Sequence, residues 1–383
     1  MQFETLAIIL WFEKWESKHD INLARATIEA MSTVQLLDLI GYGVSDLTQL
    51  LNERLVYGDA QGSKELREAI AARYENQSYD NVVATHSTAA ANALVHRALV
   101  DEGDSVVAVL PGYRQHSAIP LSVGANVQYL ELREADAWLP DLCRLRELAT
   151  PGTKLIALSN PNNPTGALVG REMLEKVVAI ARNCGAWLLC DEVNGGIDQE
   201  GSGVTPGVVD LYEKGISTGG ISKSFALAGL RIGWVAAPSL VVDDLMAHRD
   251  HDTVSIGLID DHIASLALKN SERILARSRE MVRHNLAVLD SWIGKQPQLR
   301  WVRPRSGACC LVKIDLPINS VEFCNALAED TGVLLMPGSI LGMEGYVRLG
   351  FGIDREKFAE GLARISDFLA KIEDAQLSII TSA

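Results

Sequence analysis

Lys223 is the residue in this sequence whose neighbours most suggest chemistry. It lies between Ser222 and Ser224, and Arg231 follows eight residues later. A lysine amine becomes a nucleophile when burial or nearby cations lower its pKa. A serine hydroxyl and an arginine guanidinium suit a phosphate, the arginine through its two parallel N–H donors. The spacing therefore indicates a lysine that reacts beside a bound phosphate. The alternative is a solvated lysine in a surface loop.

Asn163 and Asp191 each follow a predicted buried strand. Asn163 belongs to the segment Asn-Pro-Asn-Asn-Pro-Thr-Gly at 160–166, which two prolines make rigid. Asp191 comes directly after the apolar run 186–190. Ligands of open α/β sheets bind beyond the carboxyl ends of the strands, where a carboxylate can pair with a protonated ring nitrogen. The alternatives are a tight surface turn at 160–166 and a helix N-cap at Asp191.

Two further predicted strand ends carry residues that suit a ring bearing a phosphate. The segment Thr-His-Ser-Thr-Ala at 85–89 joins a strand to a helix, so that Thr88 and the first helical N–H groups could hold an anion. Tyr113 follows Pro111 and Gly112 at the end of the next strand and offers an aromatic face for stacking. Taken singly, each segment is more typical of turn chemistry.

Apolar strands and amphipathic helices alternate from about residue 50 to Pro238. The predicted strands are 81–85, 105–110, 125–130, 154–158, 186–190 and 232–237, and the predicted helices include 63–74, 89–100 and 171–184. This alternation is typical of βαβ units around a mostly parallel sheet buried on both faces. The stretch up to about residue 45 is predicted to be mostly helical, and 259–292 to form one long helix.

The change of pattern near residue 240 predicts two domains. A large α/β domain would span 46–240, and a smaller α+β domain would combine 1–45 with 241–383. The 383 residues are enough for both domains, because single hydrophobic cores stop growing at roughly 250–300 residues.

Composition argues against several classes of function. The net charge of −14 disfavours nucleic acid or an anionic membrane as a partner. No stretch approaches the roughly 20 apolar residues of a transmembrane helix or has the features of a signal peptide. The six cysteines show no CxxC spacing and no paired histidines. We therefore expect no metal site and a reduced, cytoplasmic protein.

These clusters occur in the order that one known family shows. Over about residues 50–352 the sequence resembles the fold-type-I, class I/II aminotransferases, which use pyridoxal 5'-phosphate (PLP). The motifs Asn-Pro-Asn-Asn-Pro-Thr-Gly and Ser-Lys…Gly-Leu-Arg-Ile-Gly together are highly specific for that family. The resemblance implies a large domain with a mostly parallel seven-stranded sheet flanked by helices, plus a smaller α+β domain. It also implies a ping-pong transfer of an amino group between an L-amino acid and a 2-oxo acid.

The resemblance implies a role for each matching residue. Lys223 is similar to the lysine that holds PLP as a Schiff base and carries a proton between the substrate α-carbon and C4′ of the cofactor. Asp191 resembles the partner of the pyridine nitrogen, and Tyr113 the residue stacked on the ring. Asn163 resembles the donor to the ring 3-oxygen and is also an implied substrate-binding residue. Arg348 resembles the ligand of the substrate α-carboxylate. The implied phosphate ligands are Ser87, Thr88, Ala89, Ser222 and Arg231.

Tyr57 implies a second subunit. In the segment Tyr-Gly-Asp-Ala-Gln-Gly it resembles the tyrosine that reaches the phosphate of the neighbouring subunit. The resemblance therefore implies a homodimer with shared active sites.

Asn194 departs from the family pattern, which usually has tyrosine three residues after the ring-pairing aspartate. The tyrosine hydroxyl donates to the ring 3-oxygen, and the shorter asparagine would reach it through a water or leave Asn163 to act alone. Ser87 replaces a glycine of the phosphate loop, and Gly220 replaces a serine. The usual substrate loop is replaced by 22–27, so the sequence does not indicate which amino acid is the substrate.

The changed contact at Asn194 keeps a second class of reaction open. A lyase, a β/γ-replacement enzyme or a cyclising or deaminating enzyme would use the same scaffold and the same substrate carbanion. A PLP-binding regulator without catalysis is a third reading. The regulator hypothesis lacks support, since the sequence shows no basic segment that resembles a helix-turn-helix extension.

Overall fold

Helices and strands alternate along most of the chain. The structure, a computed structural model, describes residues 7–201 and 205–381. The strands are β1 Ile21–Asn22, β2 Val82–Thr85, β3 Ser105–Leu110, β4 Asn126–Glu131, β5 Thr153–Ser159, β6 Trp187–Asp191, β7 Gly215–Gly220, β8 Gly233–Ala236, β9 Leu299–Trp301, β10 Cys309–Ile314, β11 Val333–Leu334, β12 Met336–Pro337 and β13 Tyr346–Gly350. The helices are α1 Ala7–Trp15, α2 Thr33–Ile40, α3 Thr48–Asn52, α4 Lys64–Ala71, α5 Thr88–Leu99, α6 Gln115–Ser122, α7 Leu142–Leu148, α8 Arg171–Cys184, α9 Val208–Leu211, α10 Ser239–Asp250, α11 Leu258–Lys269, α12 Ser271–Ile293, α13 Ser320–Thr331 and α14 Arg355–Thr381.

The central sheet has seven strands in the order β2-β8-β7-β6-β5-β3-β4. β8 runs antiparallel to both of its neighbours, β2 and β7. The other neighbouring strands pair in parallel. This arrangement confirms the predicted mostly parallel, seven-stranded sheet with helices around it.

Successive residues of the central strands point to opposite faces of the sheet, and both faces are buried. Leu155 and Leu189 pack in one core with residues of α5 and α10. Ile156 and Leu188 pack in another core with residues of α8. These strand side chains are at most 1% exposed. A strand buried on both faces reads as a continuous apolar run, which is why β5 and β6 could be recognised from sequence.

β7 is the one central strand that the apolar pattern does not predict. Its sequence is Gly-Ile-Ser-Thr-Gly-Gly, although every residue in it is buried. A Cβ atom on Gly219 would lie 2.5 Å from the Trp234 ring, and one on Gly220 would lie 2.3 Å from Oγ1 of Thr88. The glycines are therefore required by close neighbours, and they remove the apolar signal on which the prediction depends.

The N-terminal stretch is less helical than predicted. Between α1 and α2 the chain is largely extended, and β1 pairs in parallel with β11. The Leu23 N–H donates to the Leu334 carbonyl at 2.9 Å, and the Gly350 N–H donates to the Leu23 carbonyl at 2.7 Å. This segment therefore satisfies its backbone groups on distant strands rather than within a helix. A second small sheet is antiparallel, in the order β12-β13-β10-β9.

The predicted long helix at 259–292 is two helices, α11 and α12. They meet at Asn270, whose backbone leaves helical geometry at φ −111° and ψ 25°. The Asn270 side chain donates to the Leu266 carbonyl at 3.0 Å, a local bond that competes with the helical ladder. Over the ranges 7–201 and 205–381, no helix combines the length and the apolar character that crossing a bilayer requires.

Candidate active site

Three candidate residues lie where neighbouring parallel strands end. Asp191 is the last residue of β6, Lys223 follows the end of β7 by three residues, and Asn163 follows the end of β5 by four. The order β7-β6-β5 makes these strands adjacent. Because parallel strands end at the same edge, the three residues project into one region at the carboxyl edge of the sheet.

The Asp191 carboxylate is buried and is held by two uncharged donors. It is 4% exposed. Its Oδ2 accepts from the Asn92 side chain at 2.8 Å, and its Oδ1 accepts from the Val193 N–H at 3.1 Å. Burial raises the pKa of the carboxyl group, because the charged form is poorly solvated. Residues 193–196 form a turn and no helix starts at Asp191, so the alternative of a helix N-cap is wrong.

The Lys223 amine is poised to lose its proton near neutral pH. Burial, followed by the positive charge of Arg348, lowers the pKa of Lys223 to about 8, and the Asp191 carboxylate opposes that shift. The Arg348 guanidinium and the Asp191 carboxylate are thus both close enough to act on the charge of the amine. A solvated loop lysine would keep its ordinary pKa near 10.5. The environment of Lys223 is therefore that of a nucleophile or base.

The Lys223 amine of the ligand-free protein is expected to react with a half-maximal rate near pH 8. Its pKa is depressed, so the neutral, nucleophilic form predominates above about pH 8 and the ammonium form below it. Brief labelling with an amine-reactive reagent from about pH 6 to 11, with mass spectrometry of the peptide around residue 223, measures this profile. A midpoint near 10.5 would contradict the expectation.

The first turn of α5 has the geometry of an anion site. Ser87 precedes the helix with φ 84° and ψ 162°, a conformation normally adopted by glycine. The N–H groups of Thr88 and Ala89 open the helix, where backbone donors have no intrahelical acceptor. The Thr88 hydroxyl donates instead to the Gly219 carbonyl at 2.9 Å, which ties the helix start to β7. A Cβ on Gly233 would lie 2.3 Å from the Thr88 nitrogen, so β8 approaches this turn closely.

Ser222 and Arg231, the other two implied phosphate ligands, differ in burial. The Ser222 Oγ is buried and lacks a hydrogen-bond partner among the residues that the structure describes. A bound anion would supply the missing acceptor. Arg231 is exposed, and its guanidinium donates to the Ala228 carbonyl at 2.9 Å. Burial raises the pKa of the Tyr113 hydroxyl, and the positive charge of Arg231 opposes that shift.

Tyr113 lies close to Asp191. Burial raises the pKa of the Tyr113 hydroxyl, and the negative charge of Asp191 raises it further. The Tyr113 ring meets the His116 ring edge-on, with 6.4 Å between centroids. The tyrosine side chain thus lies near the Asp191 carboxyl group and packs against His116.

Arg348 brings the small antiparallel sheet to the same site. It is 3% exposed, on β13. Its Nη2 and Nε donate to the Ala24 carbonyl at 2.6 and 3.2 Å, and its Nη1 donates to Oδ1 of Asn163 at 3.4 Å. Burial lowers the pKa of the guanidinium group. A buried cation that has no ion-pair partner in the described part of the chain suits a carboxylate ligand.

Asn194 and Tyr57 have no contact with the other candidate site residues among the hydrogen bonds described above. The Asn194 side chain is buried and its Nδ2 is 3.5 Å from the Pro161 carbonyl, so it is turned towards the 160–166 loop. Tyr57 is 81% exposed on the subunit surface. The predicted contact of Asn194 with a ring oxygen and that of Tyr57 with a neighbouring subunit stay predictions.

Three groups at the site were not predicted from sequence. Asn92 binds Asp191 and is itself fixed by the Thr218 hydroxyl, which donates to Asn92 Oδ1 at 2.6 Å. A single amide among the alanine, leucine and valine residues of α5 is a signal that could have revealed it. No sequence pattern marks the Ala24 carbonyl or the Cys309 thiol. Tertiary packing brings them to the site, where Ala24 contacts Arg348 of β13 and Cys309 of β10 contacts Asn163.

Comparison with known proteins shows which family the chain belongs to. The model of the family "Aminotransferase class I and II" matches residues 28–365. This chain belongs to that family. The aminotransferase is similar in structure to a PLP-dependent aminotransferase from Streptococcus suis, with 36% identity, a TM-score of 0.94 and coverage of 97% of this chain and 99% of that one.

Two other similar proteins have names that indicate different reactions. The PLP-dependent cyclase OrfR is 27% identical, with a TM-score of 0.89 and coverage of 97% of this chain and 98% of that one. Capreomycidine synthase from Streptomyces vinaceus is 28% identical over 356 residues, which are 93% of this chain and 90% of that protein. As a member of its family, the present enzyme is a PLP-dependent transaminase whose substrates are an amino acid and a 2-oxo acid.

The residues at the sheet edge fit PLP. The Ser222 hydroxyl without a partner and the first N–H groups of α5 suit its phosphate. The buried Asp191, held only by uncharged donors, suits a protonated ring nitrogen. The lowered pKa of Lys223 suits an amine that must bond covalently to an aldehyde.

Proposed function

We propose that this aminotransferase binds PLP through Lys223 and uses the freed Lys223 amine to move the substrate proton. The observation that carries the proposal is the position of Lys223, whose pKa is lowered by burial and by Arg348 while Asp191 opposes that shift. PLP, when bound, supplies a protonated ring that withdraws electrons from the substrate α-carbon. Lys223 then takes the proton from the α-carbon and returns it at C4′ of the cofactor.

The other residues position the reacting atoms in this proposal. Asp191 keeps the ring nitrogen protonated, and Asn92 keeps Asp191 in place. The ring stacks on Tyr113, and Asn163 donates to its 3-oxygen. Arg348 binds the α-carboxylate, for which its contacts to the Ala24 carbonyl must rearrange. The proposed phosphate and ring ligands are Ser87, Thr88, Ala89, Ser222, Arg231, Asn194 and Tyr57 of a neighbouring subunit.

The experiment that tests the proposal is a reaction with amino acids in the absence of a 2-oxo acid. Transamination is expected to stop after one equivalent of 2-oxo acid per site, and to resume when a second 2-oxo acid is added. The cofactor absorbance and the released 2-oxo acid are measured together. Continuous release of ammonia or of a rearranged product, without any added 2-oxo acid, would contradict transamination as the main reaction.

Cyclisation or elimination is the second candidate, and Asn194 is the observation that favours it. Asparagine replaces the tyrosine expected near the ring 3-oxygen, and its side chain is turned towards Pro161. Similar proteins include one named as a cyclase and one named as a synthase. In the same experiment, turnover beyond one equivalent would support this alternative.

We also propose a homodimer with shared active sites. Leu55, Val56 and Tyr57 are consecutive and 61–81% exposed. Gly58 lies beside the Ile256 carbonyl, which places this run near the exposed Val254 and Ile259. An exposed apolar patch of this kind supports contact with a second copy. Tyr57 would then lie close to the phosphate of that copy.

Mixing two defective variants is expected to restore part of the function if active sites are shared. The Y57A change should weaken PLP binding about tenfold, the effect of losing a hydrogen bond to a charged group. In a hybrid of Y57A and K223A chains, one site keeps both Lys223 and the partner's intact tyrosine. Activity at limiting PLP should therefore exceed that of either variant alone. Sedimentation that shows only monomers, or no gain on mixing, would contradict the proposal.

We propose the division into a large domain of 46–240 and a small domain of 1–45 and 241–383. In its support, all strands of the seven-stranded sheet fall between residues 82 and 236, and the other strands fall outside. Residues 1–6, 202–204 and 382–383 lie outside the described part. We further propose a cytoplasmic location, which is supported by six cysteines present as free thiols.

A further inference from the structure

The side-chain oxygen of Asn163 is contacted by two groups from the small antiparallel sheet. Nη1 of Arg348, on β13, lies 3.4 Å from Oδ1 of Asn163. The Sγ of Cys309, the first residue of β10, lies 3.8 Å from the same oxygen and 3.7 Å from the Pro164 carbonyl. Cys309 is 3% exposed. A buried thiol therefore lies against the loop that carries Asn163.

These neighbours determine which way the Asn163 amide faces. A guanidinium group has donors and no acceptor, so only the amide oxygen can face Arg348. Burial raises the pKa of the Cys309 thiol, which therefore keeps its proton, and both of its contacts are acceptors. The thiol donates to the turn formed by Asn163 and Pro164. The amide oxygen thus faces Cys309 of β10 and Arg348 of β13, and the amide nitrogen, on the other branch of the side chain, faces away from these two groups.

The orientation of Asn163 matters more here because Asn194 replaces a tyrosine. In the proposed function, Asn163 donates to the ring 3-oxygen, and Asn194 is turned towards Pro161. The Arg348 contact must weaken when a substrate carboxylate binds, since both compete for the same guanidinium group. Among the described residues, the Cys309 thiol is then the remaining donor to the Asn163 side-chain oxygen.

We propose that Cys309 is a positioning residue, which fixes the Asn163 amide with its nitrogen towards the cofactor 3-oxygen. The inference rests on the proposed role of Asn163. A well-placed donor stabilises negative charge on the 3-oxygen and lowers the proton affinity of the neighbouring nitrogen that links the cofactor to Lys223. Loss of the Cys309 donor should therefore raise that proton affinity.

Cys310 provides a matched control. It is the next residue on β10, is fully buried, and its thiol points to the opposite face, where it contacts the Leu349 carbonyl at 3.7 Å. Removing either thiol deletes the same atoms from the same strand. Only removal of the Cys309 thiol takes a donor from the Asn163–Pro164 turn.

The test is a pH titration of the visible absorbance of the PLP-loaded enzyme, which reports proton affinity rather than activity. C309A is expected to shift the midpoint upward by about 0.5 pH units, a roughly threefold change that suits one weak hydrogen bond. C309V, which fills the space of the thiol with methyl groups that cannot donate, should give the same shift, and C310A none. N163A should shift the midpoint further, and C309A/N163A should match N163A, because Cys309 acts through Asn163.

The outcomes test two proposals separately, the positioning role of Cys309 and the role of Asn163 as donor to the 3-oxygen. A wild-type midpoint in C309A and C309V, with a shifted midpoint in N163A, would overturn the role of Cys309 and leave that of Asn163 intact. Additive shifts in C309A/N163A would also overturn it, because Cys309 would then act independently of Asn163. An unshifted midpoint in N163A would instead contradict the proposed function of Asn163.

Discussion

Replacing Lys223 with alanine is expected to lower the turnover of the aminotransferase by about 10⁴-fold or more. The variant loses both the nucleophile for the cofactor and the base for the α-proton. Water cannot replace the base efficiently, because the amine is held near its target with a pKa of about 8. Purified K223A should also lack the visible absorbance of covalently held PLP. Absorbance spectra and single-turnover assays measure the two losses separately.

Lys176 provides the control for a lysine change that leaves the site intact. It is exposed on α8 and has no place among the candidate site residues. K176A is expected to keep the spectrum and the turnover of the unchanged enzyme. Turnover by K223A within tenfold of the unchanged enzyme would exclude Lys223 as the residue that moves the proton.

Changing Asp191 to asparagine is expected to lower turnover by about 10²–10³-fold. The amide keeps the size of the side chain but cannot pair as a charge with a protonated ring nitrogen. Breaking a buried charged pair costs about 3–5 kcal/mol, and the lower part of that range, about 3–4 kcal/mol, corresponds to a loss of about 10²–10³-fold in rate. The loss should fall mainly on kcat, because the ring charge matters most when the α-carbon carries negative charge. Steady-state kinetics at saturating PLP measure it.

Glu192 is a matched control for the Asp191 change. It is the next acidic residue, and its carboxyl group faces away from Asp191 to accept from Ser217 Oγ at 2.7 Å and from the Val208 N–H at 3.0 Å. Burial raises its pKa to about 8, so it is largely protonated at neutral pH and glutamine mimics that form. E192Q should keep turnover within a few-fold. An equal loss in E192Q and D191N would mean that general destabilisation, not ring pairing, explains the effect.

The carboxyl edge of the sheet could be predicted from local sequence because its signals are local. Apolar runs ending in Asp191 and in the 160–166 loop identify buried strands and the residues just beyond them. In parallel βαβ units such ends meet at one edge, whatever the details of packing. The fold and the approximate positions of Lys223, Asp191 and Asn163 followed from that rule and from the family resemblance.

The same local signals gave wrong or missing results where distant contacts decide the structure. β7 has glycines because Trp234 and Thr88 approach its backbone, and it therefore lacks an apolar run. The stretch after α1 is extended because its backbone groups bind β11 and β13. No periodicity within either segment records these partners.

The sequence by itself predicted that Asp191 and the rigid 160–166 loop lie at the ends of buried strands, and it marked Lys223 as a candidate for reaction without predicting the strand that precedes it. Only the tertiary structure decided what holds them. Asn92 fixes Asp191 across 99 positions of the chain, and Arg348 and Cys309 reach Asn163 across 185 and 146 positions. Such contacts depend on how two sheets and a helix pack together, and side-chain packing between distant elements leaves no spacing in the sequence that could predict it.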